Sequence, residues 1–312
     1  MSSRPPVEAV VLGTRDSALA RRQTERVVEL LREAWPGLEC EIRPVVTQGD
    51  RTQERGDPLP EIGGKGLFTA ELELGLRERT LDLAVHSLKD LPTEDPPDVA
   101  IGAVCARGDV RDCLVSRDGL GLSRLPAGAV VGTSSLRRSA QLRALRPELE
   151  LRSIRGNVDT RIRKVREGDF DATLLAAAGI ARLGLESEVS EWLEVETMLP
   201  APGQAALAVQ CRTGDERALE LLAAIDDPAT RAATTAERTF LRALGAGCTA
   251  PVAALAESAP EGQIRLEGRV LSPDGQEAIR VEGRGAPSEV GERLAREALA
   301  AGADRILAAV RG

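Results

Sequence analysis

Ten basic residues fall between Gly132 and Arg166 against three acidic ones, in a 312-residue chain whose formal net charge is −8. They are Arg137, Arg138, Arg143, Arg146, Arg152, Arg155, Arg161, Arg163, Lys164 and Arg166. A guanidinium presents a planar fork of donors that grips a carboxylate or phosphate through two parallel bonds. The strip therefore reads as a site for an anionic ligand. Arg143, Arg146, Arg163 and Arg166 recur at helical spacing and are equally well the solvated face of a helix. Arg137, Arg138, Arg155 and Arg161 instead follow the small-residue turns Gly132-Thr-Ser-Ser and Ser153-Ile-Arg-Gly-Asn157, where strands hand over to helices and expose backbone N–H groups.

Two other groups could do chemistry. Cys248 lies in Leu244-Gly-Ala-Gly-Cys248-Thr-Ala-Pro251, where the preceding glycines leave space for a bulky adduct. A thiolate is well suited to attack an electrophilic carbon. Asp90 sits in His86-Ser-Leu-Lys89-Asp90-Leu-Pro92, and a carboxylate there can stabilise a cation and relay protons, or simply cap a turn before Pro92. Cys40, Cys105, Cys113 and Cys211 have apolar neighbours and read as packing. The lone histidine, His86, reads as packing or positioning, and with no CxxC pair a structural zinc site is not expected.

Composition narrows the ligand. With 42% hydrophobic residues the chain can build sizeable cores, and its length suggests two or three domains. No apolar run approaches the ~20 residues that span a bilayer, and Met1-Ser-Ser-Arg-Pro-Pro6 lacks the apolar stretch of a secretion signal. A cytoplasmic protein with no membrane partner is expected. Aromatics are 2% of the chain and tyrosine is absent, which removes the stacking platforms of single-strand binders. The acidic balance also argues against a nucleic-acid partner, so a small anionic ligand fits better.

Alternating strands and helices must position these groups. Strands are expected at Val7–Leu12, Glu41–Val46 and Leu81–Val85, with helices over Ser17–Trp35 and from about Leu67. Leu12-Gly13-Thr14 and its polar helix start find a counterpart in Val131-Gly132-Thr133, and Leu81-Asp-Leu-Ala84 in Phe170-Asp-Ala-Thr173, which suggests two α/β domains of one topology. The expected fold is α/β: two similar periplasmic-binding-protein-like α/β domains around a cleft, plus a C-terminal α+β domain with a small antiparallel sheet. The boundaries read as 1–105 with 200–225, then 106–199, then 226–312. In the last domain a helix over Ala229–Leu244 precedes the apolar segment Val252–Ala256 and two alternating strands, Ile264–Leu271 and Glu277–Gly283, with a hairpin turn at Ser272-Pro-Asp-Gly275. One helix over Ser288–Val310 is expected to close the chain.

Seven motifs stand in order along nearly the whole sequence: Arg15-Asp-Ser-Ala-Leu-Ala20, Gly63-Gly-Lys-Gly-Leu-Phe68, His86-Ser-Leu-Lys-Asp-Leu-Pro92, Gly132-Thr-Ser-Ser-Leu-Arg-Arg138, Arg155-Gly-Asn157, Leu199-Pro-Ala-Pro-Gly-Gln204 and Gly247-Cys248. Together they closely resemble the porphobilinogen deaminase (hydroxymethylbilane synthase) family. The resemblance implies a transferase that joins four porphobilinogen molecules head to tail, releasing ammonia each time, to give hydroxymethylbilane for tetrapyrrole synthesis. It implies a covalent dipyrromethane cofactor, one per chain, thioether-linked to Cys248, and a monomer whose product passes to the next tetrapyrrole-pathway enzyme. Asp90 matches the catalytic carboxylate. Lys89, Arg137, Arg138, Ser135, Thr133 and Ser87 match positions that hold the cofactor, and Arg15, Ser17, Arg155, Arg161, Lys65, Phe68 and Gln204 positions that hold substrate. The acidic loop Gln53–Glu61 with its flanking glycines is expected to act as a mobile flap. Ala205 and Ala254 stand where the family pattern usually has glycine, and Glu61 where some relatives carry lysine. A two-domain anion-binding module would also explain the arginines, but it gives no use for Cys248 or a third domain.

Overall fold

The structure, a computed structural model, describes residues 5–49, 69–94, 96–247 and 249–311. Along the chain run β1 (Ala9–Arg15), α1 (Ala18–Ala34), β2 (Glu39–Val45), α2 (Ala70–Arg77), β3 (Leu83–Ser87), β4 (Val99–Val104), β5 (Asp112–Ser116) and β6 (Val130–Gly132). Next come α3 (Leu136–Leu145), β7 (Glu150–Arg152), α4 (Val158–Arg166), β8 (Ala172–Ala176), α5 (Ala177–Leu183), β9 (Glu191–Leu193), β10 (Leu207–Arg212), α6 (Glu216–Ala223) and α7 (Pro228–Ala243). Strands β11 (Val252–Ser258), β12 (Ile264–Leu271) and β13 (Ala278–Gly285), then α8 (Pro287–Ala300) and α9 (Ala303–Arg311), complete it.

The chain divides into two compact units, residues 1–107 with 206–231 and residues 108–205 with 232–312. In the first, a five-stranded sheet has the order β2-β1-β3-β10-β4. β1 runs parallel to β2 and β3, while β10 is antiparallel to β3 and β4. Strands covered on both faces read as apolar runs, and Leu12, Leu83, Val85 and Val209 are buried accordingly with Val27 and Leu31 of α1. Each such leucine or valine stabilises the core by about 1.5–3 kcal/mol. Ser17 starts α1 by accepting a hydrogen bond from the Ala20 N–H. Trp35 closes it and donates its indole N–H to the Leu221 carbonyl at 3.0 Å.

The second unit holds two sheets. One has the order β7-β6-β8-β5-β9, with β6 parallel to β7 and β8, and β5 antiparallel to β8 and β9. Its pattern of directions repeats that of the first unit strand for strand, so the recurrence read in the sequence is an architectural one. The other sheet is the antiparallel meander β11-β12-β13, covered by α7, α8 and α9 around buried Phe240, Leu266, Leu294 and Leu307. Here a side chain at Gly268 would place its Cβ 2.5 Å from the Phe240 ring, so glycine lets the helix seat on the strand. The single closing helix expected from the sequence is instead two. Gly302 adopts φ +100° and ends the run, a backbone state that side-chain-bearing residues avoid.

Candidate active site

The first unit brings several of the expected residues into one pocket. Parallel strands β1 and β3 end side by side, and the carboxyl ends of such strands are where α/β sheets take ligands. Arg15 ends β1, Ser17 caps α1, Ser87 ends β3, and Asp90 lies in the single 3₁₀ turn that follows. These four line one open pocket together with Gln23, Thr69 and His86, a concave site with several convergent polar groups. Gln23 Nε2 donates to Ser87 Oγ at 2.8 Å. That bond uses the hydroxyl as acceptor and leaves its proton to be donated into the pocket. Asp90 is exposed, and Lys89 beside it is half-buried. His86 is buried, and burial pushes its imidazole down to about 4, the Gln210 side chain opposing and the Arg15 cation reinforcing the shift.

In the second unit the arginines part company. Ser135 caps α3 by accepting from the Arg138 N–H at 3.4 Å, and Thr133 Oγ1 accepts from the Ser135 N–H at 3.2 Å, so both hydroxyls sit at a helix N-terminus, where anions are favoured. Arg137 and Arg138, only 4% and 7% exposed, turn inward to Asp112, which is fully buried. Arg138 grips Asp112 with Nε and Nη2 at 3.2 and 2.8 Å and gives Nη1 to the Leu174 carbonyl. Arg137 Nη1 lies 2.8 Å from Asp112 and 2.8 Å from the Leu199 carbonyl. Gln204, expected among the substrate contacts, is instead fully buried and donates Nε2 to the same carboxylate at 2.8 Å. Burial alone would raise the Asp112 carboxyl, but the two guanidiniums outweigh it and hold it well below the usual range. Two cations against one anion leave the cluster with an excess positive charge, and Arg137 Nε is buried without a partner.

Arg155 and Arg161 flank the turn between β7 and α4, where Gly156 has φ +117°. Arg161 Nε donates to the Gly156 carbonyl at 2.8 Å, which pins that turn. Arg155 is half-buried and makes no ion pair among the described residues. Arg163 pairs with Glu167 and Arg166 with Glu188 on the surface, as the helix-face reading holds. Arg143 and Arg146 donate to carbonyls, of Pro273 and of Leu122 and Leu125. Lys65, Phe68, Cys248 and the Gln53–Glu61 loop lie outside the described residues. The sequence reading passed over Gln23, Thr69 and Asp112. Gln23 carried a signal, because a glutamine interrupts the buried stripe of α1 formed by Ala20, Val27, Val28 and Leu31.

The family model described as "Porphobilinogen deaminase, dipyromethane cofactor binding domain" matches residues 10–220, and "Porphobilinogen deaminase, C-terminal domain" matches 232–300. The chain belongs to the porphobilinogen deaminase family. A porphobilinogen deaminase of Brevibacillus brevis is 48% identical over 300 residues, covering 96% of each chain. One of Thermus thermophilus is 48% identical over 308 residues, covering 98% of this chain and 100% of its own. Among solved structures, the Bordetella pertussis BvgS VFT2 domain is similar at 18% identity with TM-score 0.41, over 70% of this chain and 86% of that one. A YaeC-family lipoprotein of Enterococcus faecalis is similar at 14% identity with TM-score 0.42, over 71% and 93%. As a porphobilinogen deaminase the chain makes hydroxymethylbilane for tetrapyrrole synthesis and carries the dipyrromethane cofactor. Its residues fit that group, because the acetate and propionate of each pyrrole ask for donors. The unpartnered Arg137 Nε, in a cluster with surplus positive charge, is such a donor.

Proposed function

We propose that the pocket of the first unit binds the reacting porphobilinogen and that Asp90 is its catalytic carboxylate. The convergence of Arg15, Ser17, Ser87 and Asp90 on one pocket carries this reading. Ser87, expected among the cofactor contacts, lines this pocket instead, and its hydroxyl proton and Arg15 take the substrate carboxylates, each charge-assisted contact being worth about 1.5–3 kcal/mol. When ammonia leaves, the C–N electron pair departs with nitrogen and the positive charge spreads into the pyrrole ring. Asp90 then stabilises that charge through a hydrogen bond from the pyrrole N–H, and takes or returns the protons of ring substitution.

Dipyrromethane, when bound, supplies the pyrrole carbon to which the first substrate is joined. On this reading Cys248 tethers it as a thioether, one per chain. Lys89, Thr133, Ser135, Arg137 and Arg138 hold its carboxylates, with Asp112 and Gln204 fixing the arginine planes. Arg155 and Arg161 take the carboxylates of the growing chain, and Lys65 and Phe68 contribute from the flap, so residues 1–105 with 200–225, 106–199 and 226–312 serve as catalytic, carboxylate-binding and tethering domains. The protein works as a cytoplasmic monomer and hands its product to the next enzyme of the pathway. Intact mass tests the tether: an excess equal to two pyrrole units is expected, and absent in Cys248→Ala. Active protein of unmodified mass would refute it.

A further inference from the structure

The chain's one histidine is left without a role by that reading. His86 lines the pocket with Arg15, Ser87 and Asp90, is only 6% exposed, and has no hydrogen-bond partner for Nε2 among the described residues. The polar group acting on it is the side chain of Gln210, whose Oε1 is likewise buried and unpaired. Strand register explains the meeting. His86 pairs with Ala208, and Ala84 with Gln210, across β3 and β10, so both side chains rise from one face a diagonal step apart. A buried polar group left without a partner is destabilising. An amide oxygen only accepts, so a small shift that joins the two atoms satisfies both only when Nε2 carries the ring proton. Nδ1 is then a lone-pair acceptor.

We propose that His86 is a substrate-positioning residue: an uncharged imidazole, steadied by Gln210, that offers Nδ1 to the aminomethyl group of porphobilinogen. The inference rests on the pocket being the substrate site. The substrate has two donor groups, the pyrrole N–H and the aminomethyl ammonium, and the pocket's acceptors are the Asp90 carboxylate, the His86 imidazole, the Gln23 amide oxygen and the hydroxyls of Ser17, Thr69 and Ser87. With Asp90 on the pyrrole, the lone pair of the neutral imidazole takes the ammonium. The leaving group must keep its protons, because the C–N bond breaks with its electron pair on nitrogen and all three hydrogens leave as ammonia. A strong base there would strip the ammonium and produce a poorer leaving group. A ring held to about 4 by burial beside Arg15 lies some six pKa units below an alkylammonium near 10.4. It accepts the hydrogen bond without removing the proton.

A single histidine gives an unambiguous spectrum. In untagged holoenzyme with nitrogen-15 histidine, His86 is expected as the neutral Nε2–H tautomer from about pH 5.5 to 9, whereas titration near the ordinary ~6.5 or an Nδ1–H tautomer overturns the proposal. In kinetics, His86→Leu is expected to lower kcat/KM for porphobilinogen about tenfold or more. Inhibition by the same pyrrole lacking its aminomethyl group should stay unchanged. His86→Asn, whose amide oxygen can stand near the place of Nδ1, should recover most of the loss. Equal weakening of both ligands would make His86 merely structural and overturn the role. Arg15→Leu separates the two readings: weaker binding of both ligands keeps the pocket as substrate site whatever His86 does, and unchanged binding of both removes the pocket and this proposal with it.

Discussion

Asp112 holds Arg138 by both carboxylate oxygens, 2.8 Å to Nη2 and 3.2 Å to Nε, in a position where both side chains are buried. Arg138 is thereby anchored at all three nitrogens, its Nη1 bonding the Leu174 carbonyl. Arg137 shares the same carboxylate and keeps Nε unpartnered. Two adjacent arginines of one motif thus share one carboxylate, one with every nitrogen bonded and one with Nε left over.

Replacing the brace should cost stability. Asp112→Ala leaves two buried guanidiniums against no anion, a loss on the order of 3–5 kcal/mol, read as a lower urea midpoint. The pH dependence follows from the depressed carboxyl. Because the folded value lies below the unfolded one of about 3.9, the stabilisation is complete above that pH and fades only as pH falls further. Asp112→Ala should therefore flatten the acid limb of the stability curve below about pH 4, and an unchanged limb would dissolve the assignment.

Asp90 is exposed and lies in a short turn, so its removal should spare the fold. Asp90→Asn is expected to keep its melting temperature and its cofactor mass while turnover falls about 10² or more. Near-full turnover would count against the carboxylate role.

Ser87 accepts from Gln23 at 2.8 Å, which commits the hydroxyl's lone pair and orients its proton. Ser87→Ala should weaken porphobilinogen binding about 5- to 10-fold in KM, the worth of one modest hydrogen bond. Gln23→Ala should do much the same indirectly by freeing the hydroxyl to rotate. If the double variant loses as much as the two singles together, the residues act independently and the relay is absent.

Most of this was legible because the sequence carries local signals that tertiary structure obeys. The serine before α1 and Gly132-Thr133 at the end of β6 marked where strands pass to helices, whereas Gly13-Thr14 lies inside β1, and the meander's Ser272–Gly275 turn lay where expected. What was not legible depended on long-range pairing. Asp112 and Arg138 are 26 residues apart, and nothing in Arg111-Asp-Cys-Leu says that the aspartate is buried. Gly302 was hidden inside an apolar period that continues past it, so two helices read as one. Ala205 is a further case. Its φ of +71° explains why the family pattern prefers glycine there, since a left-handed alanine costs about 1–2 kcal/mol. Glycine in turn gives back about 0.5–1 kcal/mol of chain entropy and about 0.8 kcal/mol of methyl burial, so Ala205→Gly should change stability by less than about 1 kcal/mol.

The arginine strip yields the last test, because its members now divide by environment. Arg163 pairs with Glu167 one turn along an exposed helix, an interaction worth roughly 0.3–0.5 kcal/mol. Arg155 sits half-buried at the strand exit and enters no ion pair among the described residues, which leaves its charge for a ligand. Arg163→Leu should leave both stability and kinetics within error. Arg155→Leu should fold normally yet stall priming or elongation, seen as shortened pyrrole chains on the enzyme by intact mass. If both variants behave alike, Arg155 belongs with the surface arginines, and the carboxylates of the growing chain are held elsewhere.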